Sequence, residues 1–139
     1  MSLYHREFCL EVLTPDGPVC TADTVSLVFP AADGEIGILG GRAPLIAMLS
    51  AGRLTFEDTA GKDHAYFISG GFAHVRDNGV TIVAEQCISA DQLDLEQAKD
   101  ELAKAQAIPS MPETRERRTL AIQSARAKVK LAQQAKKSQ

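Results

Sequence analysis

The hydrophobic period of this chain changes once, at residue 89, and that change constrains its architecture more than any other feature. Before it, apolar residues recur at every second position. Phe8, Leu10 and Val12 alternate with Cys9, Glu11 and Leu13, the spacing that lines one face of a strand. The stretches 25–29, 34–39, 52–57, 64–69, 72–76 and 80–84 read in the same way. Turn signals divide them: Thr14-Pro15-Asp16-Gly17, Ala60-Gly61, Gly70-Gly71 and Asp77-Asn78-Gly79. Proline presets a turn, glycine accepts positive φ, and Asn-Gly between apolar runs signals a hairpin. Many short strands with frequent turns predict a β-sandwich or a flattened barrel.

After residue 89 the spacing becomes helical. Ser89 and Asp91 are candidate N-caps, and Asp94 and Glu96 stand where the positive end of a helix dipole favours acids. Leu95, Ala98, Leu102 and Ala105 share one helical face. The segment Ile108-Pro109-Ser110-Met111-Pro112-Glu113 ends that helix, and Ser110 and Glu113 have capping-box spacing for a second. Leu120, Ser124, Ala127, Leu131 and Ala135 are the expected buried face of the second helix. The short link predicts an antiparallel hairpin with arms of roughly 25 Å and 37 Å. The expected division is therefore a β domain over 1–88 and a helical hairpin over 89–139. The hairpin stripes are rich in Ala and Ser and bury little area, at about 25 cal/mol per Å². They suit either an ordinary static hairpin or a weakly held element that moves.

Charge is segregated in the same direction. Residues 1–114 carry 7 basic and 17 acidic side chains, a net −10, and residues 115–139 carry 8 basic and 1 acidic, a net +7, giving −3 in total. The overall balance excludes a generally basic nucleic-acid coat. The basic C-terminal segment reads as a solvated helix, or as an arm that meets an acidic surface of nucleic acid or protein. No apolar run approaches the ~20 residues of a membrane span, and the start of the chain lacks a signal-peptide pattern. Together with three cysteines, Cys9, Cys20 and Cys87, that cannot all pair, this leads to the expectation of a soluble protein in a reducing, cytoplasmic setting.

Little in the chain points to catalysis. His5, His64 and His74 have no metal-ligand spacing. The glycine-rich run Gly34–Gly41 is interleaved with apolar residues and lacks the Lys-Ser/Thr of a P-loop. Cys9 and Cys87 read as small core residues. His5 lies ~13 Å from Cys9 along an extended strand, too far to act as its base. Glu57-Asp58 reads as a solvated turn rather than an acid/base couple.

Three segments carry a resemblance. The run from Phe29 to Leu45 contains Gly34-Glu35-Ile36-Gly37-Ile38-Leu39-Gly40-Gly41-Arg42-Ala43-Pro44-Leu45. Ser69-Gly70-Gly71-Phe72-Ala73-His74-Val75 and Asn78-Gly79-Val80-Thr81-Ile82-Val83-Ala84-Glu85 follow in order. Together, ahead of a helical hairpin, these resemble the epsilon subunit of the bacterial F-type ATP synthase, called delta in mitochondria. The resemblance implies a two-layer β-sandwich of about ten strands followed by the hairpin. It implies a non-catalytic rotor part of the central stalk, with no catalytic residues, no metal and no obligatory cofactor. The sandwich would join the gamma subunit to the c-ring through Glu35, Gly37, Leu39, Arg42 and Pro44. The helices would regulate ATP hydrolysis by offering Arg115, Arg117, Arg118, Arg126, Lys128 and Lys130 to acidic loops of the beta (and alpha) subunits. The implied location is peripheral, on the cytoplasmic face of the cell membrane, without bilayer insertion or nucleic acid.

Two departures from the family pattern bear on sites. Arg42 stands where the family has His, so a permanent charge with a bidentate fork replaces a titratable ring. Some members bind ATP through a Leu/Ile-Asp-x-x-Arg-Ala motif on the first helix and basic residues on the second. Here Asp94 and Ala98 are kept, Gln97 replaces the Arg, and Arg126 and Lys130 match the second-helix positions. Any ATP binding by Asp94, Arg126 and Lys130 is therefore expected to be weak. Two rival readings remain: a nucleotide-sensing module built on those three residues, and an unrelated β-sandwich adaptor whose basic arm binds RNA.

Overall fold

The computed structural model describes residues 7–41 and 43–137. Arg42 and His5 lie outside the described residues. Nine strands come first: β1 (Phe8–Thr14), β2 (Gly17–Ala31), β3 (Gly34–Leu39), β4 (Leu45–Met48), β5 (Gly52–Asp58), β6 (Asp63–Ser69), β7 (Phe72–Arg76), β8 (Gly79–Val83) and β9 (Gln86–Ser89). A single 3-10 turn at Ala90–Gln92 and two helices, α1 (Leu95–Gln106) and α2 (Arg115–Lys137), follow. The chain divides into two compact units between Cys87 and Ile88.

In the first unit the strands run in the order β4-β7-β8-β1-β2-β5-β6-β9, with β3 also paired to β2. The β1–β8 pairing is parallel, and its neighbours are antiparallel. The long strand β2 makes this a two-layer structure. Straight, its 15 residues would run about 50 Å, whereas a unit of this size has a radius of gyration of only about 12 Å. It bends at a bulge between Thr24 and Ser26. Its first half pairs with β1, and its second half with β3 and β5. The extra residue also switches which positions face inward. Thr24 is buried before the bulge, and Leu27, Phe29 and Ala31 are buried after it. The Thr24 hydroxyl donates to the Ala22 carbonyl at 3.2 Å, so this buried polar group is satisfied. The sheet then returns on itself. Ala31 bridges to Leu49, the Ala32 amide donates to the Met48 carbonyl and the Ser50 amide to the Pro30 carbonyl, tying the end of β4 back to β2.

Leu10, Val12, Leu27, Phe29, Leu54, Phe56, Ile68, Val75, Val80 and Ile82 fill the space between the layers. Thr14–Gly17 and Gly70-Gly71 turn the chain where the sequence predicts. Gly71 has φ +92°, and a Cβ there would lie 1.7 Å from the Val83 carbonyl oxygen, so only glycine fits the turn into β7. Two strands are absent from the alternation reading. β4 is apolar at every position, Leu45-Ile46-Ala47-Met48, and β9 is only 4 residues long. Cys9, expected in the core, is exposed, because Phe8, Leu10 and Val12 take the inward side of β1. Cys87 is half-buried.

In the second unit, α1 and α2 pack as a hairpin. Asp94 caps α1 by accepting from the amides of Glu96 (2.9 Å) and Gln97 (3.4 Å). Leu93 is extended and separates this cap from the 3-10 turn. Helix α1 is therefore 12 residues, or about 18 Å, shorter than the spacing predicts. Thr114, not Ser110, organises the start of α2. Its hydroxyl bonds the Pro109 carbonyl, and its carbonyl accepts the Arg118 amide at 2.8 Å. No helix among the described residues is long and apolar enough to cross a membrane.

Candidate functional site

In the first unit, Glu35, Gly37 and Leu39 occupy alternate positions of β3 and are exposed, while Ile38 between them is buried. Pro44, just before β4, is also exposed. The structure thus places four of the five candidate docking residues on the surface, three of them on one face of one strand.

A second surface feature was not among the sequence candidates. Strand register places Met48 opposite Phe72, Phe72 opposite Val83, and Val83 opposite Leu13. These four apolar residues form one row across β4, β7, β8 and β1. At about 4.8 Å per strand the row is roughly 14 Å long. Ile46 lies beside it, opposite His74. Ile46 is 71 % exposed, Met48 66 % and Phe72 41 %. Scattered exposed apolar residues are ordinary, but a contiguous row marks a contact surface. The available signal was β4 itself. A strand apolar on both faces has one face for the core and one for a partner.

The β5–β6 turn is a polar cluster. Asp58 Oδ1 accepts from the amides of Ala60 and Lys62, each at 2.9 Å, and Asp58 Oδ2 meets His64 Nε2 at 2.9 Å. The His64 bond, then the Lys62 amide, holds the Asp58 carboxyl below the usual aspartate range. His64 stacks on Phe56 at 4.5 Å. Asp58 is thus committed to building the turn. Burial pushes the Cys87 thiol up to about 11 and raises that of Cys20. Such thiols are protonated at neutral pH and make poor nucleophiles. No group of metal-ligating side chains gathers among the described residues.

In the second unit the basic residues fall into two classes. Arg115, Arg117, Arg126 and Lys130 are exposed. Lys128 is not: it is 9 % exposed, and its Nζ donates to Glu101 Oε2 on α1 at 2.9 Å. Arg118 is half-buried, and its Nε donates to the Ile108 carbonyl at 3.0 Å. The inward face of α2 carries Ala125, Lys128, Leu131 and Ala132, whereas Leu120, expected inside, is 55 % exposed. Leu131 is buried as expected and Ser124, Ala127 and Ala135 are half-buried, but Lys128 joins the inward face, its apolar stem packing there while its charge meets a carboxylate.

This phase bears on nucleotide. Arg126 and Lys130 each stand two residues from Lys128, about 200° round the helix, on the side away from α1. The Asp94 carboxylate is occupied as the α1 cap. The small cleft of about 80 Å³ beside Asp94, Gln97 and Glu101 is lined on the α2 side by Lys128. The structure does not bring Asp94 together with Arg126 and Lys130, and Gln97 adds no charge there. These residues do not fit a triphosphate.

Comparison with known proteins adds the family context. Residues 7–90 match the sequence model described as ATP synthase, Delta/Epsilon chain, beta-sandwich domain. The chain is 38% identical over 97 residues to the ATP synthase epsilon chain of Desulfatibacillum aliphaticivorans, covering 70% of this chain and 69% of that one. It is 36% identical over 97 residues to the epsilon chain of Bacillus pumilus, covering 70% and 73%. Among solved structures it is similar to a chain of the Euglena gracilis mitochondrial ATP synthase, OSCP/F1/c-ring. The TM-score is 0.79 at 25% identity, covering 93% of this chain and 80% of that one. A chain of the Tetrahymena thermophila mitochondrial ATP synthase, central stalk/c-ring, shares the fold with a TM-score of 0.64 at 16% identity, covering 94% and 97%. The matched family model ends at the sandwich, whereas the structural likeness to the Euglena chain covers nearly the whole molecule.

Proposed function

Because this chain belongs to the ATP synthase delta/epsilon family, we propose that it is a non-catalytic rotor subunit of the central stalk, coupling a gamma subunit to the c-ring. The observation that carries this reading is the apolar row Met48, Phe72, Val83 and Leu13 on the sandwich surface. A contact that turns with its partner and transmits torque is permanent, and permanent interfaces are apolar at their centre. We assign this row to gamma. The outward residues of β3 suit a different contact. Glu35 and Leu39 flank Gly37, where a side chain would meet nothing within 4 Å, so a partner backbone has room to approach. With Pro44, they are assigned to the polar loops of the c-ring, and Arg42 lies in the same segment. The complex would hold the chain at the cytoplasmic face of the cell membrane.

The hairpin supplies regulation in this reading. Its interface is built mainly from alanines, so burial holds it weakly. Exposed Arg115, Arg117, Arg126 and Lys130 are available to acidic loops of the beta subunits. In the assembled enzyme, removal of residues 89–139 is expected to raise ATP hydrolysis while co-purification with gamma persists. Unchanged hydrolysis would leave the helices passive, and loss of gamma from the preparation would overturn the docking assignment.

A further inference from the structure

We propose that Arg76 is a fixed anchor on the face assigned to gamma, where it binds one carboxylate of the partner and sets the register in which the apolar row docks. The inference rests on the assignment of that row to gamma. It supplies what an apolar row lacks, because apolar burial is non-directional and does not select one orientation of the partner.

Strand register puts Arg76 on the same face as the row. On β7, Phe72, His74 and Arg76 alternate with the buried Ala73 and Val75, so all three point outward. Arg76 pairs with Gly79 on β8, Gly79 with Cys9 on β1, and Cys9 with Asp23 on β2. This line runs parallel to the apolar row, four residues or roughly 13 Å from it along β7. The Arg76 side chain reaches back toward the row. Its Nη2 donates to Thr81 Oγ1 at 2.9 Å, and Thr81 stands two positions beyond Gly79, between the two lines. The guanidinium therefore lies across β8. Gly79 leaves it room: a Cβ there would touch Nη2 at 3.7 Å, and a longer side chain would push the group away.

This arrangement makes an unusual surface arginine. A free arginine loses rotamer freedom when a partner fixes it, whereas Arg76 is already held by Thr81. One of its five donors is used there, and among the described residues no carboxylate pairs with it. The other donors suit a carboxylate, which a guanidinium grips through two parallel bonds. The face is also polarised. Arg76 stands on β7, whereas Glu11 and Asp23 stand two and three strands away, roughly 10 Å and 14 Å. A partner docked in reverse would bring its acid against Glu11 and Asp23, and like charges oppose that placement. The partner surface that fits is an apolar strip on gamma with an acidic side chain at its β7 end.

The test is titration calorimetry of the intact chain against purified gamma at low and high salt, with a thermal melt of each variant. Arg76→Ala is expected to weaken binding roughly tenfold. Arg76→Lys should recover only part of this, because an ammonium keeps the charge without the fork. Thr81→Val keeps the side-chain shape but frees the guanidinium, and a loss of roughly threefold is expected. Melting temperatures should hardly change, since Arg76 is exposed. Salt should weaken the parent more than Arg76→Ala. Each acidic residue of gamma is then replaced by alanine in both backgrounds, and one of them is expected to cost affinity against the parent but none against Arg76→Ala. Parent-like binding by Arg76→Ala, with weakened binding by Met48→Ala, would overturn the anchor and leave the apolar row standing. Parent-like binding by both would overturn the docking assignment itself. Parent-like binding by Arg76→Lys would overturn the two-bond grip. Weakened binding by Arg76→Ala with no coupled acid on gamma would overturn the carboxylate as its partner.

Discussion

Replacing Met48 and Phe72 by alanine tests the assignment of the apolar row to gamma most directly. A fully exposed side chain of this class presents roughly 200 Å². With 66 % of Met48 and 41 % of Phe72 exposed, about 130 and 80 Å² are available for a partner to cover. At about 25 cal/mol per Å² that is worth at most ~3 and ~2 kcal/mol. Alanine retains part of the contact, and interface area converts imperfectly into affinity. The expected losses are therefore about 2 kcal/mol for Met48→Ala and about 1 kcal/mol for Phe72→Ala, or roughly thirtyfold and fivefold in Kd. Both residues point away from the core between the layers, so the melting temperature should hardly move. The assay is titration calorimetry against purified gamma, with a thermal melt of each variant. The two residues are cross-strand neighbours, so the double variant need not be additive. A double variant that melts normally and binds gamma as tightly as the parent would refute the assignment.

Residues 1–88 alone should fold, because the core between the layers is built within them. A chain truncated after Ile88 is expected to melt cooperatively, and a molten product would show that the hairpin is needed. Glu35→Lys should weaken coupling of hydrolysis to ion pumping with little change in melting, since Glu35 is exposed on β3. An unfolded variant would place Glu35 in the core network instead. Asp58→Asn keeps an oxygen for the Ala60 and Lys62 amides but removes the charge facing His64. The folded-state pKa of Asp58 is lowered, so its charge stabilises above the ordinary aspartate value of about 3.9 and that contribution disappears as pH falls through the folded value. The variant should therefore be less stable than the parent at pH 7, and the difference should vanish in acid. Denaturant curves at pH 7 and pH 3 would reveal an equal gap if the reasoning is wrong.

Much of the fold was legible because its signals are local. The switch of period at residue 89, Gly70-Gly71 and the turn at Thr14–Gly17 each depend on residues close in sequence. The exposed face of β3 was legible for the same reason, since Glu35, Gly37 and Leu39 alternate with Ile36 and Ile38. β4 was missed because a strand apolar on both faces has no alternation to detect. On α2 the burial of Leu131 was legible and that of Lys128 was not, because Lys128 reads as a solvated charge, while its stem packs as an apolar residue and its ammonium meets Glu101.

The sequence alone therefore determined the division into strands and helices, the turns between most of them, and the segregation of charge toward the C-terminus. These follow from backbone preference and from neighbours two to four positions apart. Tertiary structure decided what depends on register and helix phase. The bulge in β2 switched its inward face between Thr24 and Leu27. Pairing of four strands aligned Leu13, Met48, Phe72 and Val83 into one row, although they are scattered over 71 positions of the chain. The rotation of α2 against α1 set Lys128 inside and Arg126 and Lys130 outside. A side chain's own period fixes which residues share its face, but only the packed partner fixes where that face points.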